Sequence, residues 1–154
     1  MRLNVRSILP ANPSVFNGFA LVRYAAIPYM LVIFVRSCIH LFTADGGAQS
    51  IAGIDITVAG GDNIIAIFHQ WGAMQLLLIA LLLVLFVRYP GFTPLILLTL
   101  LIEPILRDVA GMMMPVTSVG TPPGAALNGA SFVVVLGLFL LSLLARGAPR
   151  APQT

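Results

Sequence analysis

Charge is what this chain has least of. Only 8% of its 154 residues are Asp, Glu, Lys or Arg, and all eight basic residues are arginines. A soluble domain carries roughly a quarter charged residues, so a water-soluble globule is not expected. Cysteine is nearly absent: Cys38 stands alone, which excludes an internal disulfide, a CxxC redox pair and a cysteine-built zinc site. The signatures of soluble catalysts are missing as well, with no GxSxG, HExxH, phosphate-binding loop or dinucleotide-binding glycine fingerprint. Gly46-Gly47 and Gly60-Gly61 lack the lysine and the following motif that a phosphate loop needs. No internal repeat is visible, which argues against the common carrier folds.

What is present is apolar. Hydrophobic residues make up 59% of the chain and its mean hydropathy is +1.03. The expected fold is all-α: an integral membrane four-helix bundle in one domain, residues 1–154, with spans at about 24–42, 63–87, 93–114 and 125–145. Outer loops fall at 43–62 and 115–124, and Arg88-Tyr89-Pro90-Gly91 is a tight turn. Within the first loop, Ile54-Asp55-Ile56-Thr57-Val58 alternates apolar and polar, the pattern of a short strand or a surface-hugging segment. Pro10, Asn12, Pro13 and Asn17 break what a signal peptide would need as its apolar centre, so residues 1–19 read as a retained cytoplasmic leader.

Arginines set the orientation. Arg2, Arg6, Arg23, Arg88, Arg146 and Arg150 fall on one side of a four-span chain, while Asp45, Asp55 and Asp62 fall on the other with no Lys or Arg. The positive-inside rule places both termini in the cytoplasm, in a bacterial inner membrane. The net charge of +3 is then topology and not a nucleic-acid footprint.

The third apolar run carries Glu103, Arg107 and Asp108, and charges inside a bilayer are rare and paired. At about 1.5 Å per residue, Arg36 lies roughly 20 Å and His40 roughly 25 Å from the inner edge. His69 lies roughly 10 Å below the outer surface, with Gln70 beside it, and Glu103, Arg107 and Asp108 roughly 15–23 Å up from the inside. These seven residues share one layer in the outer half. Their formal charges cancel, so the layer can be buried if every donor is satisfied. It reads either as structural glue or as a pocket, open outward and roofed by the 43–62 loop, that binds a polar head group or handles protons. His40 and His69 suggest a haem b held by two histidines; hydrogen bonding into the arginine–carboxylate network is the simpler role. Trp71 reads as a packing ring, Gln75 as facing away from His69, and Met112-Met113-Met114 as core filler.

The stretch FHQWGAMQLLLIALLLV at 68–84, the RYPG turn and Arg107-Asp108-Val109-Ala110-Gly111 together resemble the DoxX-like small bacterial membrane proteins. Trp71-Gly72 stands where those proteins have Gly-Gly, and Glu103, Asp108 and His69 are additions. The resemblance implies a four-helix fold; the family covers unlike roles, subunits of quinone-linked oxidoreductases among them, so it bears on fold more than on function. The expected function is a non-enzymatic accessory subunit binding a small quinone-like ligand. A haem b redox subunit and a proton-coupled carrier using Glu103 are the alternatives. Expected partners are membrane lipid, other membrane subunits or a second copy, and no nucleic acid.

Overall fold

The computed structural model describes residues 3–144. Within them the chain folds as five helices: α1 (Ala20–Phe42), α2 (Gly61–Arg88), α3 (Thr93–Met113), a single-turn α4 (Pro123–Ala126) and α5 (Asn128–Ser142). No strand forms among the described residues; an isolated antiparallel pairing joins Leu3 to Leu144. The expected segment at 54–58 is irregular, with Ile54 buried and Ile56 packed under the start of α2 at Gly61. The ends of this segment's backbone are tied by a bond from the Ile54 N–H to Ala48 O and by Asp55 accepting from Thr57, so no partner strand is needed.

Local chemistry sets the helix limits. Gly60 takes a φ of 86°, in the left-handed region, where glycine turns a chain without steric cost. Asp62 follows in the first turn of α2, an acid at the positive end of the helix dipole. Pro94 stands at the start of α3, where its missing N–H costs nothing. Pro28 and Pro104 lie inside α1 and α3, which continue through them. α1 and α2, at 23 and 28 residues, are long and apolar enough to cross a membrane. α3 has the length but carries the three charges. The fourth apolar run is divided: Leu127 turns between α4 and α5, leaving α5 with 15 residues, about 22 Å of helix. Ala145, expected as its last residue, lies outside the described residues, as do Arg2, Arg146 and Arg150.

α1 packs along α2 and α3 along α5; α1 also touches α5, whereas α2 and α3 meet only sparsely. Gly72 makes the α1–α2 approach close: a Cβ there would fall 2.6 Å from the Leu41 amide nitrogen and 2.7 Å from the His40 carbonyl carbon. The core lies between these pairs, with Met30, Ile79, Ile96, Leu97 and Val135 essentially fully enclosed. The outward faces are apolar as well, among them Val32 and Val35 on α1, Leu77 and Leu81 on α2, Leu106 on α3 and Val133 on α5. Met112, Met113 and Met114 are 79%, 80% and 77% exposed, which corrects the expectation that they fill the core. They leave the last turn of α3 where no helix covers them.

The two ends of the helices differ in chemistry. At one end the leader crosses beneath α1, α3 and α5: the Asn4 N–H bonds Leu143 O at 2.9 Å and the Gly91 N–H bonds Pro13 O at 2.7 Å. Arg23 staples this end. Its Nη1 donates to Thr93 Oγ1 at 2.7 Å and Pro90 O at 3.2 Å, its Nη2 to Phe86 O at 2.7 Å, and its guanidinium lies 4.1 Å over the Phe86 ring. At the other end the two long loops meet, the Val119 N–H bonding Gly53 O at 2.8 Å.

Candidate functional site

Three helices deliver a polar cluster to one place. Glu103 on α3 is its centre. Its Oε1 accepts from Arg36 Nη2 of α1 at 3.4 Å and from Gln75 Nε2 of α2 at 3.3 Å. Its Oε2 accepts from Arg107 Nη2, one turn on along α3, at 3.2 Å. Arg36 Nη2 also donates to Gln75 Oε1 at 3.2 Å. α5 closes the far side through Asn128, whose Oδ1 accepts from Arg107 Nη2 at 2.7 Å. The Asn128 Nδ2 donates to Asp108 Oδ1 at 2.6 Å and to Pro104 O at 3.3 Å. Asp108 thus joins the cluster through an amide, not through an arginine. Tyr29 of α1 and Ser131 of α5 stand beside it.

Two donors are left over. The Nε–H groups of Arg36 and Arg107 are buried and have no acceptor among the described residues. A buried N–H without a partner costs roughly 1–3 kcal/mol, so the site is short of acceptors by at least two. Gly124, in α4, lies over it: a Cβ there would meet Arg107 Nη1 at 3.6 Å and Arg36 Nη1 at 3.9 Å. The roof expected from the 43–62 loop lies elsewhere, over His40. Below the cluster a cleft runs between α2 and α3, lined by Arg36, Gln75 and Glu103 at its head and by Ile33, Leu78, Ile79, Leu82 and Leu100 along its walls. Its free volume is about 20 Å³, room for about one water.

The histidines belong to a separate neighbourhood. His40 is buried, with Nδ1 2.7 Å from Gly46 O, and its ring packs 4.6 Å from Trp71 and 5.7 Å from Phe68. His69 sets Nδ1 2.9 Å from Leu41 O. Each ring therefore locks the end of α1 and its loop, and neither hydrogen-bonds to the arginine–glutamate cluster. Trp71 links the two regions, with the Arg36 guanidinium 5.5 Å from its ring. Gln70 is exposed and makes no side-chain bond among the described residues. No three of His, Cys, Asp or Glu among the described residues stand together as metal ligands. In the 43–62 loop, Asp45 accepts from the Ser50, Gly47 and Gln49 amides and the Ser50 hydroxyl. These bonds, the Ser50 amide foremost, hold its carboxyl at about 2, below its ordinary 3.8.

Sequence reasoning missed Gln75 and Asn128. Gln75 lies three residues after Gly72, on the side that glycine packs against α1, and that spacing was the available signal. Asn128 is the one amide in an otherwise apolar run, and a buried amide needs hydrogen-bond partners on its neighbours. No family model, curated protein or solved structure matches this chain.

The cluster can do two things chemically. It can fix the relative positions of four helices, because each helix contributes one or more of its members. It can also hold a molecule that brings acceptor oxygens to the unspent Nε–H groups. Proton handling by Glu103 is a poorer fit, because both carboxylate oxygens are already taken by Arg36, Gln75 and Arg107, and these would have to be released first.

Proposed function

We propose that the chain is a small inner-membrane protein of four spans, formed by α1, α2, α3 and the α4–α5 unit, with both termini in the cytoplasm. In this reading it is a non-enzymatic accessory subunit that holds a small ligand through carbonyl-type oxygens, as a quinone head group would offer. The observation that carries the binding reading is the pair of buried Arg36 and Arg107 Nε–H groups without acceptors among the described residues; of the two arginines, Arg36 also lines the head of a cleft with apolar walls. The cleft lies between α2 and α3, which meet only sparsely, so a ligand with an apolar tail would reach it sideways from the hydrocarbon by parting these two helices. The membrane reading is supported by apolar outward faces on all four long helices. The orientation is supported by Arg6, Arg23 and Arg88 at the leader end against Asp45, Asp55 and Asp62 at the loop end. The resemblance to DoxX-like proteins adds to the fold reading only. The exposed apolar faces of α2 and α5 would meet lipid, another subunit or a second copy.

The test uses the whole protein purified in mild detergent, as wild type, Glu103→Gln and Arg107→Ala, with mass spectrometry of co-purifying small molecules. The expected result is a quinone-class molecule with the wild type that is lost from variants that still fold. If no molecule co-purifies and both variants lose stability, the cluster is structural and the binding reading falls.

A further inference from the structure

A second cavity lies away from this cluster. It holds about 420 Å³ at the opposite end, where the leader crosses beneath the helices, a volume within the range of small-molecule sites. Its wall carries Arg6, Asn4, Asn12 and Asn17, together with Gly18, and no acidic residue at all. Arg6 has no side-chain partner among the described residues. The amide of Asn17 is likewise unspent, and Asn12 uses only its oxygen, which accepts from the Ser14 N–H. The Gly18 backbone is buried, and its N–H has no acceptor among the described residues. Several donors of the lining, on Arg6, Asn12, Asn17 and Gly18, thus have no protein acceptor among the described residues, and Arg6 has no acid beside it among them.

Two features narrow the ligand. Gly18 leads into α1, and Gly91 and Pro94, at the start of α3, also line the cavity, so two long helices turn their N-terminal, partly positive ends toward it. Neither helix has a side-chain cap at that end. The segment before α1 also exposes Leu3, Val5 and Leu9 beside its polar residues, a mixture suited to lying in a membrane interface.

We propose that this cavity is a phosphate site, holding a phosphate-bearing head group against Arg6, the asparagine amides and the Gly18 N–H. The site is independent of the Glu103 cluster. Its ligand is either an anionic phospholipid of the adjoining leaflet or a soluble phosphate compound, and only the lipid source rests on the membrane reading.

The experiment is native mass spectrometry of the full chain in mild detergent. The probes are phosphatidylglycerol, phosphatidylcholine and glycerol 3-phosphate, each titrated into wild type, Arg6→Ala, Asn17→Asp and Arg88→Ala. Arg88 lies exposed at the same end, outside the cavity, and reports attraction of any anion to a basic surface. Arg6 is exposed and unbonded, so its loss leaves the fold intact; Asn17→Asp adds a negative charge without changing volume. The expected result is about tenfold weaker binding for Arg6→Ala and Asn17→Asp, and less than about twofold for Arg88→Ala. Retention of phosphatidylglycerol alone identifies a lipid head group; binding of glycerol 3-phosphate with the same variant pattern identifies a soluble ligand. Equal losses in Arg6→Ala and Arg88→Ala, equal retention of phosphatidylcholine, or no binding of any probe would overturn the proposal. Carbonate extraction of the host membrane, run alongside, tests the membrane reading separately.

Discussion

Glu103→Gln is the sharpest perturbation of the polar cluster, because Glu103 is the only acid among the described residues that forms a salt bridge with Arg36 or Arg107. The carboxylate accepts three side-chain bonds, two of them from guanidinium groups. A glutamine keeps one acceptor but turns an NH2 donor toward one of the arginines. Hydrogen bonds to charged groups are worth roughly 1.5–3 kcal/mol each, and breaking a fully buried ion pair costs roughly 3–5 kcal/mol. Here each partner is about a quarter exposed, which lowers the cost, while the Nε–H groups already without acceptors raise it. The expected loss is about 2–4 kcal/mol.

Reversible unfolding in mixed micelles measures this, followed by fluorescence of Trp71, the only tryptophan, whose ring lies 5.5 Å from the Arg36 guanidinium. A double-mutant cycle with Arg107→Met isolates the pair, and a coupling of about 1–3 kcal/mol is expected because the residues share a partner. A Glu103→Gln protein within about 0.5 kcal/mol of wild type, with no coupling to Arg107, would show that the carboxylate is not what holds the arginines in place.

Three further outcomes follow from other contacts. Arg23→Ala should cost about 2–3 kcal/mol, and Arg23→Lys about half of that, since lysine keeps the charge but not the fork that reaches Phe86, Pro90 and Thr93; thermal melts of both variants check the order. Gly72→Ala should destabilise by about 1–3 kcal/mol, because its Cβ would strike backbone atoms of α1, whereas Gly111→Ala, with nothing within 4 Å, should be neutral or slightly stabilising; matched melts that fail to separate the two would contradict the α1–α2 approach. Asp45 is held at about 2, below its ordinary 3.8, so its contribution is complete above about pH 4 and is lost as pH falls through about 2. With solvent screening of this partly exposed group that contribution is about 1 kcal/mol, and Asp45→Asn should flatten the acid limb of the stability curve and speed amide exchange at Gly47, Gln49 and Ser50.

Helix positions were legible in the sequence because a long apolar run bounded by Gly, Pro and Arg admits little else. α1, α2 and α3 lie within a few residues of the expected spans. The fourth run was not legible as two helices, since hydropathy does not register the turn at Leu127 that brings Asn128 against Pro104 O and Asp108. The histidines mark the limit of reasoning from depth. Counting residues along each helix sets His40 and Arg36 at similar heights, but a helix face spans a wide arc, and the Gly46–Gly47 turn reaches in to take the His40 ring while Arg36 turns toward α3. Backbone carbonyls are invisible to a search for side-chain partners, and they claimed both histidines. Met112, Met113 and Met114 failed for a related reason. Apolar residues in a soluble core and apolar residues facing lipid are the same in sequence, so the pattern fixes which stretch is a helix but not which of its faces is inside. Small residues break that tie: Gly72 identifies the inner face of α2, and Gln75, one turn further on the same side, then follows as a member of the cluster. A polar residue one turn from an interfacial glycine is therefore a better indicator of a shared site than similar depth alone.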